Sequence, residues 1–288
     1  MTTPATAWTA LAVVLATAAA GCGLVQGAGR QPPLLLSVED EIELGQAIAP
    51  YLEADFGGRV TDPAIQAYVR TVGECIARST PLHGLPYHFS VLDSGVPAAL
   101  ALPGGTVYVT RGLLERLDSE GELAAALARE LVHINARHAG REVVLKFGLP
   151  ALADVLSGAA PYGQAGVGRR QARLGRIAAA LRDLRYDAAV ESEADRLGLD
   201  YMAAAGYNPA SMVDLLEVTT AGGTGWPPAG GARPTPGGRA GAIRRMIARK
   251  YVNRGGRVGR EEYASEVLDR LRTGQLLPAA QALNGGPS

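Results

Sequence analysis

Residues 129–133 read Arg129-Glu130-Leu131-Val132-His133, and they sit inside a longer stretch, Ser119 to Asn135, whose pattern is helical. Ser119 followed three residues later by Glu122 is a capping box that opens the helix. Leu123, Leu127, Leu131 and Ile134 recur at helical spacing and predict a buried stripe. Arg129 and His133 are four apart and therefore share a face, roughly opposite Leu127 and Leu131, with Glu130 at the flank. A second helical stretch, Asp187 to Ala205, carries Glu191-Ser-Glu193-Ala-Asp195. Glu191 and Asp195 again lie four apart on one face.

Outward from these two helices the chain reads mostly helical. Ser37 caps a helix from Val38 to about Ala49, which Pro50 is expected to end. Asp62-Pro63 pairs an N-cap with proline at the first helical position. Tyr87–Leu92 and Thr106–Val109 read as strands around the Pro103-Gly104-Gly105 turn, and Val96–Leu102 as an extended edge strand. Residues 157–170 read as a Gly-rich loop before a helix over Gln171–Arg185. Gly206 suits a helix C′ position and Asn208-Pro209 opens the next helix. Residues 222–241, rich in Gly and Pro, are expected to be irregular, and two shorter helical segments finish the chain. No internal repeat is evident. The fold class is α+β, helix-dominated, with a small sheet.

Composition narrows the function classes. The 288 residues hold 28 Lys+Arg against 28 Asp+Glu, so the basic excess of a nucleic-acid binder is absent. Two cysteines exclude a disulfide scaffold and an all-thiolate zinc site, and four histidines leave little for a His-rich centre. No charged residue precedes Arg30, and Leu11–Ala20 reads LAVVLATAAA before Gly21-Cys22. That is a secretory h-region closed by small residues. It resembles a bacterial lipobox, with Cys22 as the lipidated new N-terminus, although Ala19 stands where Leu is usual. An uncleaved apolar anchor is the alternative. The expected organisation is a signal peptide over 1–21, a tether over 22–36, a main domain over 37–252 and a C-terminal helical tail over 253–288. With Cys22 lipidated, Cys75 is a lone structural thiol; a Cys22–Cys75 bridge is the alternative for a secreted form. The arginines of the helix near 169–185 form a solvated face or one that meets anionic lipid headgroups.

The two acidic helices suggest a chemistry. In H-E-x-x-H, two histidines on one helix face hold a metal and the Glu between them activates bound water. This chain has the Glu and the second His, with Arg129 in place of the first. Taken alone, Glu-x-x-His and Glu/Asp at i, i+4 also occur on solvated helix faces.

Together with their context, these residues resemble one family. The blocks are Glu41–Gly45, Tyr68–Gly73, Leu85–Asp93, Ala101–Gly105, Thr110–Leu114, Glu122–Ala124, Glu191–Gly198 and Ala205–Pro209. They occur in the order of the gluzincin zinc metallopeptidases that include the CAAX prenyl endopeptidase, the heat-shock membrane protease and the periplasmic β-barrel assembly-enhancing protease. The resemblance spans Ser37 to Met246. It implies a zincin-like fold with an active-site helix, zinc as cofactor, His133 and Glu191 as metal ligands, Glu130 as general base, and Asp195 as the carboxylate that orients a ligand His.

Three departures fall within that implied site. Arg129 replaces the first metal His. Ala98 stands in the substrate edge strand, Ala98-Ala99-Leu100, where the family has Asn. Arg233-Pro234 replaces His-Pro on the Gly/Pro-rich loop. Guanidinium has no lone pair to ligate and stays protonated. His138, five residues after His133, is expected to point away from the metal face at 100° per residue. Arg129 is expected to bridge Glu191 or Asp195 bidentately in place of metal, or else to be merely solvated. Arg129→His is expected to restore some metal uptake.

The resulting expectation is an exported lipoprotein of the cell envelope, on the periplasmic side, with the outer membrane preferred over the inner. It would be held at the membrane by Cys22, with a degenerate metal site that lacks zinc or binds it weakly. Its partners would be polypeptide clients or outer-membrane assembly components, without nucleic acid. Two alternatives stand beside it. One is an active zinc endopeptidase, with zinc on His133, Glu191 and a further ligand. The other is a structural envelope scaffold.

Overall fold

A computed structural model describes residues 36–157, 163–221, 236–252 and 254–273. The expected signal peptide, Cys22 and Arg233 lie outside these residues, as does the tether except for Leu36.

Helix α1 (Val38–Asp55) starts at a capping box between Ser37 and Asp40 and runs straight through Pro50. Ending this helix at Pro50 was an expectation the structure corrects. Pro50 lies on the exposed face, so the hydrogen bond it cannot make is left to water, while Leu44, Ile48 and Leu52 on the other face are fully buried. Helix α2 (Pro63–Ala77) has Asp62 as N-cap, its carboxylate accepting from the Ala64 and Ile65 N–H groups.

The sheet follows: β1 (His88–Leu92), β2 (Ala99–Ala101) and β3 (Thr106–Thr110). Their order is β1-β3-β2, with β1 parallel and β2 antiparallel to β3. This makes β2 an edge strand. The turn from β2 to β3 uses Gly104 at φ +80°, where a Cβ would also collide with the α1 backbone at Ile42. Two of the sequence blocks singled out above, around Ile42 and Gly104, are thus in direct contact.

A short helix α3 (Arg111–Leu114) leads to α4 (Glu120–Asn135), the centre of the molecule. Every residue from Glu120 to Ile134 is buried, so α4 has no solvated face. A helix enclosed on all sides packs against several elements at once. Here those are α2, β2, α8 (Ala188–Ala204) and α9 (Ser211–Ala221). The apolar stripe is as expected; the burial of the opposite face is what the periodicity did not reveal.

After α4 come α5 (His138–Phe147), α6 (Leu149–Leu156) and α7 (Gly163–Arg182). Residues 163–170, expected as loop, are the first two turns of α7. Three arginines of the basic face of α7 are engaged within the molecule. Arg170 donates to Val155 O, Arg173 to Ala151 O and Asp154, and Arg182 to Asp55. Helix α10 (Pro236–Lys250) begins inside the stretch expected to be irregular, with proline at its first residue, where its fixed φ suits a helix start. The C-terminal segment is helical over Arg260–Arg272, including a π-helical stretch at Ala264–Leu268. Tyr263 and Val267 from it are fully buried. No helix among the described residues is long and apolar enough to cross a membrane.

Candidate functional site

Helices α4 and α8 cross closely because α8 presents Gly198 to α4. A Cβ there would meet Met212 and the Arg129 side chain and backbone. Asp187 caps α8, accepting from the Ala189 and Val190 N–H groups, and so sets where Glu191 falls on the first turn.

Arg129 is the largest of the fully buried side chains, 1% exposed. Its Nε donates to Asp195 Oδ1 at 2.8 Å and its Nη2 to Glu191 Oε2. It therefore binds both carboxylates at once, where solvation was the bland alternative. Burial alone disfavours its charge, but Glu191, Asp195 and Glu130 outweigh this and hold its pKa above the usual arginine value. A second guanidinium arrives from α10. Arg239 Nε donates to Asp195 Oδ2 at 3.0 Å, and its Nη2 donates to Asp195 Oδ1 at 2.8 Å and Glu191 Oε2 at 3.3 Å.

Glu130 faces the other way, toward β2. Burial is the main cause that pushes its pKa up to about 8; Arg129 opposes this, Glu191 adds to it, and the Ala101 N–H opposes it. His133 lies with its ring stacked on Tyr186, the centroids 4.2 Å apart. Burial, reinforced by Arg129, His138 and Arg239, holds its pKa well below the usual value.

His138 meets His133 by a route that helical spacing does not give, on the Nδ1 side of its ring. Its Nδ1 lies 3.0 Å from His133 Nδ1. The 100°-per-residue argument fails because α4 ends at Asn135 and α5 begins at His138. Between them Arg137 takes a left-handed conformation, φ 58°, a region that costs a non-glycine residue about 1–2 kcal/mol. Its guanidinium secures that turn, donating to Leu36 O and Ser37 O and pairing with Glu41 at 3.0 Å. His138 Nε2 lies 3.4 Å from Glu193 Oε2. A proton on that nitrogen leaves His138 Nδ1 as acceptor, so His133 Nδ1 donates to it and His133 Nε2 keeps its lone pair.

Arg129, Glu130, His133 and Glu191 line a cavity of about 340 Å³. One wall is the edge strand with its flank, Val96 to Ala101; the other is the connector Leu181–Tyr186. Ala98, Ala99 and Leu100 thus line the cleft as an edge strand should. Arg129, Glu130, His133, Glu191 and Asp195 are brought together in one place, as the resemblance implied and the within-helix spacings alone did not. Arg239, Tyr186 and His138 were missed. Arg239 stands in a Gly-rich stretch without periodic pattern, Tyr186 precedes a helix cap, and neither carries a sequence signal for the site. Cys75 is half-buried on α2, its Sγ 3.8 Å from Ala205 O.

A helix buried against a small sheet, with paired carboxylates on the facing helix and a cleft along an edge strand, defines a zincin-like peptidase framework. The chain matches peptidase family M48 over residues 63–268, more than half its length, and belongs to that family. It is 27% identical over 203 residues to the β-barrel assembly-enhancing protease of Yersinia pestis, covering 67% of this chain and 40% of that protein. It is 26% identical over 195 residues to the β-barrel assembly-enhancing protease of Escherichia coli (strain K12), covering 63% and 38%. Against mitochondrial metalloendopeptidase OMA1 of Schizosaccharomyces pombe it is 26% identical over 185 residues, covering 63% and 52%. The match thus spans about two fifths of the bacterial relatives and about half of the fission-yeast one.

The family is zinc-dependent. The residues present do not fit that ion. A catalytic zinc needs three protein ligands and an open position. Here the position for the first ligand carries a cation, and Glu191 Oε2 is bonded to two guanidinium groups.

Proposed function

We propose that this chain is a family M48 protein whose metal site is degenerate, and that it holds polypeptide in the cleft along β2 without hydrolysing it. The observation that supports this is Arg129, buried between Glu191 and Asp195. A guanidinium there satisfies two buried carboxylates that would otherwise repel each other, and it removes the electrophile a metallopeptidase needs. The cleft beside an edge strand suits an extended chain, whose main-chain groups supply affinity. Ala98 contributes no side-chain hydrogen bond to such a ligand.

We place the protein in the cell envelope on the periplasmic side, anchored through Cys22 and more consistent with the outer membrane than the inner. Its clients would be envelope polypeptides or outer-membrane assembly components. The lipobox-like stretch and the likeness to β-barrel assembly-enhancing proteases support this reading.

Zinc analysis and a casein assay on the purified full chain test the proposal. It expects no zinc, no caseinolysis, and photo-crosslinking of unfolded client peptide to β2. About one zinc per chain, with caseinolysis that disappears in Glu130→Gln, would instead establish an active endopeptidase. Crosslinks that avoid the cleft altogether would favour a scaffold.

A further inference from the structure

The two carboxylates of α8 lie buried side by side, Glu191 at 5% and Asp195 at 3% exposure. A divalent metal would bring two positive charges to them. Arg129 brings one and cannot balance the pair. The second comes from Arg239, whose guanidinium makes three hydrogen bonds to the same two carboxylates while remaining 16% exposed at the rim.

We infer that Arg129 and Arg239 together replace the charge of a metal dication, and that both must be removed before this site can accept a divalent metal. The inference rests on the metal-free reading above and deepens it. Arg129 occupies the place of a ligand. Arg239 occupies the lone pairs of another, since Glu191 Oε2 accepts from it as well as from Arg129. Substituting Arg129 alone leaves a cation on Glu191 and Asp195, which repels the incoming ion and competes for its oxygen ligand. The sequence alone leads to the expectation that Arg129→His restores some metal uptake; the second arginine says otherwise.

His133 keeps the support that a metal-binding imidazole needs. His133 Nδ1 is held by His138, and His138 is held by Glu193, the arrangement in which His133 Nε2 is available to ligate. Supporting hydrogen bonds of this kind orient a metal-binding imidazole and raise its basicity. An imidazole introduced at position 129 would share the α4 face of His133, four residues on. With Arg239 gone, Glu191 would complete three ligands.

The experiment compares zinc content and zinc affinity, by elemental analysis and chelator competition, of full-length wild type, Arg129→His, Arg239→Gln and Arg129→His/Arg239→Gln. Circular dichroism establishes that each variant is folded. The expected result is no bound zinc in wild type or either single variant, and about one zinc per chain in the double variant. Affinity of the double variant should exceed that of Arg129→His by about a hundredfold or more, as for loss of a close opposing charge. Full zinc loading by Arg129→His alone overturns the inference and leaves the metal-free reading standing. A folded double variant that takes up no zinc also overturns it. Stoichiometric zinc in wild type sinks the metal-free reading itself, which separates the two failures.

Discussion

The first turn and the middle of α4 each bury a charged cluster, and they settle it differently. At the first turn, Glu120 accepts from the Tyr68 and Tyr207 hydroxyls, both at 2.6 Å, and from the half-exposed Arg257 at 2.9 Å. In the middle, Glu191 and Asp195 are held by two guanidinium groups. One carboxylate at a helix N-terminus already has the macrodipole in its favour, and neutral hydroxyls complete its solvation. Of the two carboxylates facing the middle of α4, Glu191 has the first turn of α8 in its favour, but Asp195 lies a turn further in, and the buried pair still requires countercharge. The Glu120 cluster staples α2, α4 and the segment after Tyr207 together. The Arg129 cluster does the same for α4, α8 and α10, but it borders a cavity.

Breaking the mid-helix cluster should have the largest effect. Arg129→Leu leaves buried carboxylates without their inner partner and is expected to cost about 3–5 kcal/mol in urea denaturation. Neutralising the two carboxylates as well, with Glu191→Gln and Asp195→Asn, should recover most of that loss, since Arg239 is partly exposed and can turn to water. If the triple variant were no more stable than the single, the cluster would be acting through packing and the comparison would fail.

The pH profile probes the site around the mid-helix cluster next. Folded Glu130 keeps a proton up to about pH 8 that the unfolded chain releases near 4.5. Its contribution is therefore present below 4.5 and lost as pH rises toward 8. His133 and His138 are held below 6.5, chiefly by burial, so the unfolded chain gains protons and stability falls as pH drops below 6.5. Thermal melts from pH 5 to 8.5 should peak between these limits. Glu130→Gln should raise stability at pH 8 relative to wild type, by on the order of 2–3 kcal/mol, and leave the acid limb unchanged.

At the Glu120 end, Tyr207→Phe is expected to cost about 1.5–3 kcal/mol, the value of a hydrogen bond to a buried charged group. Tyr68→Phe acts on the same carboxylate, so the double variant should depart from additivity by more than about 0.5 kcal/mol. Strict additivity would show that Glu120 is not shared between them. The smallest effect is Ser119→Ala. It removes the N-cap acceptor of the Glu122 N–H and should cost about 1 kcal/mol without altering either pH limb.

Much of the framework was legible because its signals are local. Capping at Ser37, Asp62 and Ser119 depends on residues within one turn, and all three helices start there. The i, i+4 spacings within α4 and α8 likewise placed Arg129 with His133 and Glu191 with Asp195. Where longer-range packing competes, local signals failed. Pro50 does not stop α1, because Leu52 beyond it has a core to enter. Residues 163–170 are helical despite their glycines.

The sequence by itself determined that a cation stands where this family's first metal ligand belongs, and that Glu130, His133, Glu191 and Asp195 lie on the matching helix faces. Helical periodicity is enough for that, since it relates residues within one element. Only the tertiary structure decided that Arg239 reaches the same carboxylates from α10, and that His138 turns back onto His133 through the left-handed Arg137. Those contacts join separate elements, and which side chains meet there is set by how the helices pack around the buried charges.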